Sequence, residues 1–166
     1  MRKCGDCSEC CIVGHVPELK KDAHTRCPFI STCATGSCSI FKSPILPDTC
    51  KNYECSWKKG WGSDDDRPKE NRVMFTSNIL ENQKYLTAIQ LEKDAITTSG
   101  KDMAIQMVSS SKIPMIVVEY GKKPPEDTGD YVIVDDETLS KCSRIVGKEI
   151  LRMSPTVGMY ELIKGK

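Results

Sequence analysis

The stretch CGDCSECC, residues 4–11, places Cys4, Cys7, Cys10 and Cys11 within eight positions. Whether these thiols are disulfide partners, metal ligands or a reactive centre decides what fold the first third of the chain can have. CPF (27–29), CATGSC (33–38) and CKNYECSW (50–57) follow, so nine of the ten cysteines fall between Cys4 and Cys55 and only Cys142 lies apart. Over residues 1–60 the other apolar side chains are few, among them Ile12, Val13, Ile40, Phe41 and Trp57. A segment of this size cannot bury enough apolar surface to offset its chain entropy unaided, so it needs covalent or metal staples. Pro17, Pro28, Pro44 and Pro47, with Gly5, Gly14 and Gly36, argue for loops and short turns around a centre.

MRKCGDCSECC has no apolar run ahead of its first cysteine, so no secretory signal is read there. No segment reaches the roughly 18 apolar residues of a membrane span. The expectation is a cytoplasmic protein, or one incorporated into a virion. In a reducing compartment, dense cysteines bind metal more often than they pair with one another. A composition 28% charged and 39% hydrophobic suits a soluble globular protein, and a net charge of +1 gives no whole-chain argument for nucleic acid or membrane binding. That balance hides an asymmetry: residues 1–60 hold nine Lys or Arg against six Asp or Glu, and the remainder fifteen against seventeen.

Thiolate ligation needs donors brought to one point, and two cysteines separated by two residues can do this from a single tight turn. Cys4, Cys7 and Cys10 supply three such donors, and Cys27, followed by Pro28, is a candidate fourth. Three cysteines at this spacing with a remote Cys-Pro resemble the bacterial ferredoxin run that holds an iron–sulfur cluster. Cys11, Cys33, Cys38, Cys50 and Cys55 are enough for a second centre with one to spare, and Cys50 and Cys55 are spaced as a looped pair. Adjacent Cys10 and Cys11 point apart, which suits two centres better than one. Eight thiolates on two divalent ions would carry four net negative charges, close to the segment's excess of three positive ones. The cofactor expected is zinc, an iron–sulfur cluster (4Fe-4S), or both. His15 and His24 are the only histidines; each is a possible further ligand or a group behind the ligands, as is Cys33.

The order CGDCSECC, CPF, CSIF, two prolines, CKNYECSW and RPKENRVMF resembles the CxxCxxCC (YkgJ-type) zinc- or iron-chelating cysteine-cluster family. The resemblance covers residues 4–75. It implies ligands at Cys4, Cys7, Cys10, Cys11, Cys27, Cys38, Cys50 and Cys55, with Ile40 and Phe41 completing the Cys-x-Ile-aromatic motif and Trp57 the ending. Where the family has Arg-Pro before the late cysteines this chain has Leu46-Pro47, and Cys33 is additional. Similar clusters occur in proteins resembling flagellin lysine methylases, which keeps iron–sulfur chemistry open.

Beyond Cys55 the character changes. Residues 61–71 read as a linker, because charge, Gly and Pro replace any apolar pattern; Asp64, Asp65 and Asp66 there read as a solvated run. RVMFTSNI, KYLTAIQLE, IPMIVVEY and YVIVD read as strands. Ser99 reads as a helix cap ahead of DMAIQMVSS, and ETLSKCSRIVGKEIL as a helix with Leu139, Cys142, Ile145, Val146 and Ile150 on one face. The fold class expected is α+β: a small loop-rich Cys-cluster metal module (1–60), the linker, and a small mixed α/β unit (72–166) of about four strands and two helices.

No P-loop, G-x-G-x-x-G or G-x-S-x-G motif is present, and both histidines lie in the cluster region, which disfavours an independent active site in the second unit. Three readings follow. In the favoured one the centres staple the fold of a structural or assembly subunit, such as a component of a viral particle or a homo-oligomer, with other protein subunits as partners. The alternatives are an iron–sulfur redox protein or cluster-dependent enzyme component, and a metal-delivery protein.

Overall fold

The computed structural model describes residues 2, 6–30, 38–80, 82–121, 128–146 and 161–164. Cys4 and Cys33 lie outside the described residues. The architecture is α+β, built on one sheet of five strands in spatial order β1 to β5: Val73–Leu80, Gln83–Gln90, Met115–Val118, Thr128–Ile133 and Glu161–Lys164. β1 and β2 form an antiparallel hairpin, and Asn82 in its turn takes a left-handed φ of 64°, a conformation Asn tolerates. β3 runs parallel to β2, which requires a crossover. A 3-10 turn at Ala95–Thr97 and helix α4, Lys101–Ser111, supply it. β4 and β5 then add antiparallel.

β3 lies at the centre of the sheet and reads MIVV, with all four residues buried, as a strand covered on both faces must be. On one face Phe75, Ala88, Met115 and Val117 pack against Met103, Ala104, Met107 and Val108, which share one side of α4. On the other, Ile116, Tyr131 and Ile133 meet Cys142 of helix α5, Asp136–Val146. Cys142 is fully buried and its thiol is pushed up to about 12 by that burial, so it packs as a small hydrophobe. The rest of this second face, Met74, Ile89 and Val118, is covered by Val13 of helix α1, Glu9–Val13. The N-terminal segment is thus a layer of the core.

The four strands expected from β-branched runs are present, and a fifth, ELIK, joins them at the sheet edge. Ser99 does not cap α4: Gly100 occupies that position, and the Ser99 hydroxyl donates instead to the Asn71 carbonyl at 2.5 Å. Helix α5 has the reciprocal cap that α4 lacks. The Asp135 carboxylate accepts the Thr138 N–H at 2.9 Å, while the Thr138 hydroxyl accepts from the Asp135 N–H at 3.2 Å.

The Lys112 ammonium, 2.6 Å from Asp135, and the Thr138 N–H together hold the Asp135 carboxyl down to about 2. A carboxyl depressed on folding stabilises at pH values above its unfolded pKa and loses that contribution as pH falls through the folded one. Asp135→Ala should therefore lower stability by about 1 kcal/mol at neutral pH. In urea melts the gap between variant and wild type should close between about pH 4 and pH 2. A gap that stays constant over that range would remove Asp135 as the cause.

Candidate metal centre

Two short helices and a strap position the cysteines. α1 places Cys10 and Cys11 on successive residues, about 100° apart around its axis. The Cys27 N–H donates to the Cys11 carbonyl at 3.0 Å, laying the 27–30 turn beside α1. An isolated bridge between Ile30 and Cys38, with the Ser39 N–H donating to the Phe29 carbonyl at 2.8 Å, returns Cys38 to that turn. Helix α2, Asp48–Asn52, carries Cys50. It is tied to the Pro17–Leu19 turn because the Glu18 carboxylate accepts from the Thr49 N–H at 3.0 Å and from its hydroxyl at 2.9 Å.

After α2 the chain wraps the outer edge of β1. Tyr53 packs on the face that holds Met74, Trp57 joins the core on the α4 face, and between them the Ser56 N–H donates to the Phe75 carbonyl at 2.8 Å. This strap covers an edge strand whose backbone groups would otherwise be open to pairing. Cys55 lies in it and touches both core clusters. Residues 61–71 continue the strap. The Arg2 guanidinium donates to the carbonyls of Trp57, Trp61 and Gly62 at 2.6–3.1 Å and lies 5.1 Å from the centre of the Trp57 ring. Asp6 pairs with Lys69 and with Arg67, the latter at 2.9 Å. Helix α3, Pro68–Asn71, buries Pro68 and Asn71. The Asp66 carboxylate accepts from the Ser63 N–H at 2.7 Å, so only part of the acidic run is solvated.

The thiols fall into two groups by the charges they feel. Burial pushes Cys7 up, opposed by backbone N–H groups of Glu9 and Lys69 directed at its sulfur; Cys55 is among the negative neighbours that raise it further. Tyr53 is also raised, first by burial and then by Cys10, Cys55 and Cys7. The first group is therefore Cys7, Cys10 and Cys55, of which Cys10 and Cys55 pack with Tyr53 against the Met74 face of the sheet. In the second, burial pushes up both Cys38 and Cys50; Cys11 and Cys27 add to each, and Cys38 adds to Cys50. Cys11 is held down to about 7, because the Cys10 thiol donates a hydrogen bond to it; burial opposes this and the Lys21 ammonium assists. The Cys10–Cys11 hydrogen bond links the two groups, and Lys21 feels Cys10 as well as Cys11, Cys27 and Cys50.

Cys27, expected beside Cys4, Cys7 and Cys10, stands with Cys11, Cys38 and Cys50. Cys50 and Cys55, spaced as a looped pair, are divided between the groups. The reason is local geometry: α2 ends at Asn52, and extended backbone at Tyr53 carries the chain away to the β1 edge. His15 is exposed. His24 takes a left-handed φ of 57° and its Nε2 is buried with no hydrogen-bond partner. The residue the sequence reading missed is Lys21, which is buried and has all four thiols Cys27, Cys11, Cys10 and Cys50 as charge neighbours. Its two-lysine context, KK at 20–21, carries no signal of burial.

Among the described residues, no three His, Cys, Asp or Glu side chains stand close enough to form a closed metal site. The donor chemistry nevertheless fits a soft metal. Backbone N–H groups two residues ahead are directed at the sulfurs of both Cys7 and Cys38, from Glu9 and Ile40, and Phe41 adds another at Cys38. Donors aimed at sulfur favour the thiolate over the thiol, and the thiolate is the form that binds metal. No helix among the described residues is long and apolar enough to cross a membrane. No protein-family model, curated protein or solved structure matches the chain.

Proposed function

We propose that the chain binds metal through two thiolate centres, Cys4 with Cys7, Cys10 and Cys55, and Cys11 with Cys27, Cys38 and Cys50. Each would hold zinc or a 4Fe-4S cluster, and together they would staple residues 1–60 onto the sheet of a structural or assembly subunit. The observation that supports this reading is that Cys7, Cys10 and Cys55 act together on Tyr53, while Cys11 and Cys27 act on both Cys38 and Cys50. Cys4, outside the described residues, is assigned to the first group because it shares the Cys-x2-Cys-x2-Cys run with Cys7 and Cys10. The resemblance to the CxxCxxCC family supports the same eight ligands. A closed four-thiolate site offers substrate no open position, which favours a structural role. Phe41 and Ile45, each 66% exposed on the loop between Cys38 and Cys50, leave apolar surface for another protein subunit, in a homo-oligomer or a larger particle such as a virion.

Anaerobic purification followed by elemental analysis and an absorption spectrum tests the reading. Zinc at about two equivalents, or iron with acid-labile sulfide and a band near about 400 nm, is the expected result. A folded protein carrying neither would overturn it. The partial exposure of Cys38 and Cys50 favours a second reading in which their centre exchanges electrons or metal with a partner. Bleaching by dithionite would favour a redox protein or enzyme component. Rapid loss of metal to a mild chelator without unfolding would favour metal delivery.

A further inference from the structure

β1 is an edge strand of the sheet, and the strap covers only the first half of its outer edge. In an antiparallel ladder alternate residues turn both backbone groups to the same side. The Arg72 carbonyl accepts the Leu91 N–H on the β2 side at 2.9 Å, and the Phe75 carbonyl accepts the Ser56 N–H from outside the sheet at 2.8 Å. Met74, Thr76, Asn78 and Leu80 therefore bond to β2, while Phe75, Ser77 and Ile79 present their N–H and C=O groups outward. The strap crosses the edge at Phe75. Among the described residues nothing bonds to the outward groups of Ser77 and Ile79. Two apolar side chains stand on the same stretch, Ile79 at 66% and Leu80 at 47% exposure. Edge strands are ordinarily kept from pairing by a charge, a proline or a bulge. β1 reads VMFTSNIL, with no charge and no proline, and pairs with β2 from Val73 to Leu80 without a bulge. Its far end is also accessible, because β3 pairs with β2 only from Leu86 onward and the hairpin extends past it.

We propose that this edge pairs with the same edge of a second copy of the chain, antiparallel about a two-fold axis at Asn78. One two-fold register engages both outward residues: Ser77 of each copy exchanges N–H···O bonds with Ile79 of the other, and the two Asn78 residues stand opposite one another between them. A register centred on Ser77 sets Ile79 against Phe75, whose carbonyl is already taken by Ser56. One centred on Ile79 carries Ser77 past the end of the other copy's β1, which stops at Leu80. In the register about Asn78, Leu80 stands across from Thr76 and Ile79 across from Ser77, which draws both exposed apolar side chains into the joint. A second copy suits this edge better than a foreign strand. The paired segment carries no charge, so two copies meet without like charges opposed, and Lys84 sits one strand in, on β2 opposite Ile79. One joint also answers the open edges of both chains at once, making two five-stranded sheets continuous. The proposal rests on the sheet and does not depend on metal in the thiolate centres.

Sedimentation equilibrium of the full chain from about 1 to about 200 μM, with amide hydrogen exchange read at Ser77 and Ile79, tests it. A dimer whose fraction rises with concentration is expected, with protection of both amides rising alongside it. Ile79→Lys puts a charge on the edge at an exposed position, and should weaken the dimer at least about tenfold while circular dichroism and melts match the wild type. Ser77→Pro removes an outward N–H that bonds to nothing within the described chain, and should weaken it similarly. Phe41→Ser, which alters the other exposed apolar surface, should leave the dimer unchanged. A wild type that is monomeric at every concentration overturns the proposal. A dimer indifferent to both edge variants, or lost in Phe41→Ser, has its interface elsewhere and overturns it too. Should either edge variant misfold, the wild-type amides decide, because Ser77 and Ile79 exchanging freely in the dimer would exclude this joint. The same dimer formed by protein that holds no metal would sustain this proposal while the two-centre reading fails.

Discussion

Cys50→Ser and Cys55→Ser, only five positions apart, should each remove a different metal centre. Elemental analysis of either variant is expected to show metal falling to about half of the wild-type content, and the double variant should lose nearly all of it. Cys7→Ser should behave as Cys55→Ser does, because both thiols lie by Tyr53. The effect on stability should be larger than that of any single core truncation, since the binding energy of a structural zinc site is folding energy, about 10–16 kcal/mol in isolated zinc-finger peptides. Circular dichroism and limited proteolysis should find residues 1–60 opened in Cys50→Ser while the sheet persists. Cys55→Ser should reach further, because Cys55 touches both core clusters. Full metal content in both variants would overturn the ligand assignment, and complete loss in each single variant would point to one shared centre.

Trp57→Ala should lower the unfolding free energy by about 3–5 kcal/mol, a large part of what a domain of this size possesses. The indole is 5% exposed within the α4-side cluster, its Nε1 donates to the Ser63 carbonyl at 2.8 Å, and Arg2 stacks over its ring. Truncation therefore removes core volume, leaves a carbonyl unanswered and releases the strap that closes the β1 edge. Trp57→Phe separates these terms, retaining much of the volume and losing the hydrogen bond, for a cost of about 1 kcal/mol. Denaturant melts that place Trp57→Ala within 1 kcal/mol of the wild type would show that the strap is not part of the core.

The strands were legible because β-branched runs such as MIVV have few other uses, and the 11-residue helix α5 because its apolar positions recur at helical spacing. The four residues of β5 were not, since ELIK is too short to show a period and depends on β4 for its hydrogen bonds. Ser99 was read as a cap from residue type alone; the structure uses its hydroxyl to fasten the turn before α4 to Asn71, a contact 28 residues away in the chain. The charged 61–71 stretch carried no sign that Arg2 and Asp6, near the start of the chain, would bind along it.

At the candidate centres the division is sharper. Cysteine spacing alone was enough to nominate the thiols and, from the adjacent Cys10 and Cys11, to suggest two centres, because spacing within a turn is a local property of the backbone. It could not say which turns meet. Cys27 joins Cys11 through a backbone hydrogen bond, and Cys50 parts from Cys55 because the chain between them leaves α2 to cover an edge strand. Lys21 becomes a buried cation through the bridge with Val16 and three carbonyls. The Lys21 contacts span no more than 9 residues, but the Cys27–Cys11 bond and the strap join more distant segments, set by packing on the sheet, and no periodicity or motif within either segment encodes them.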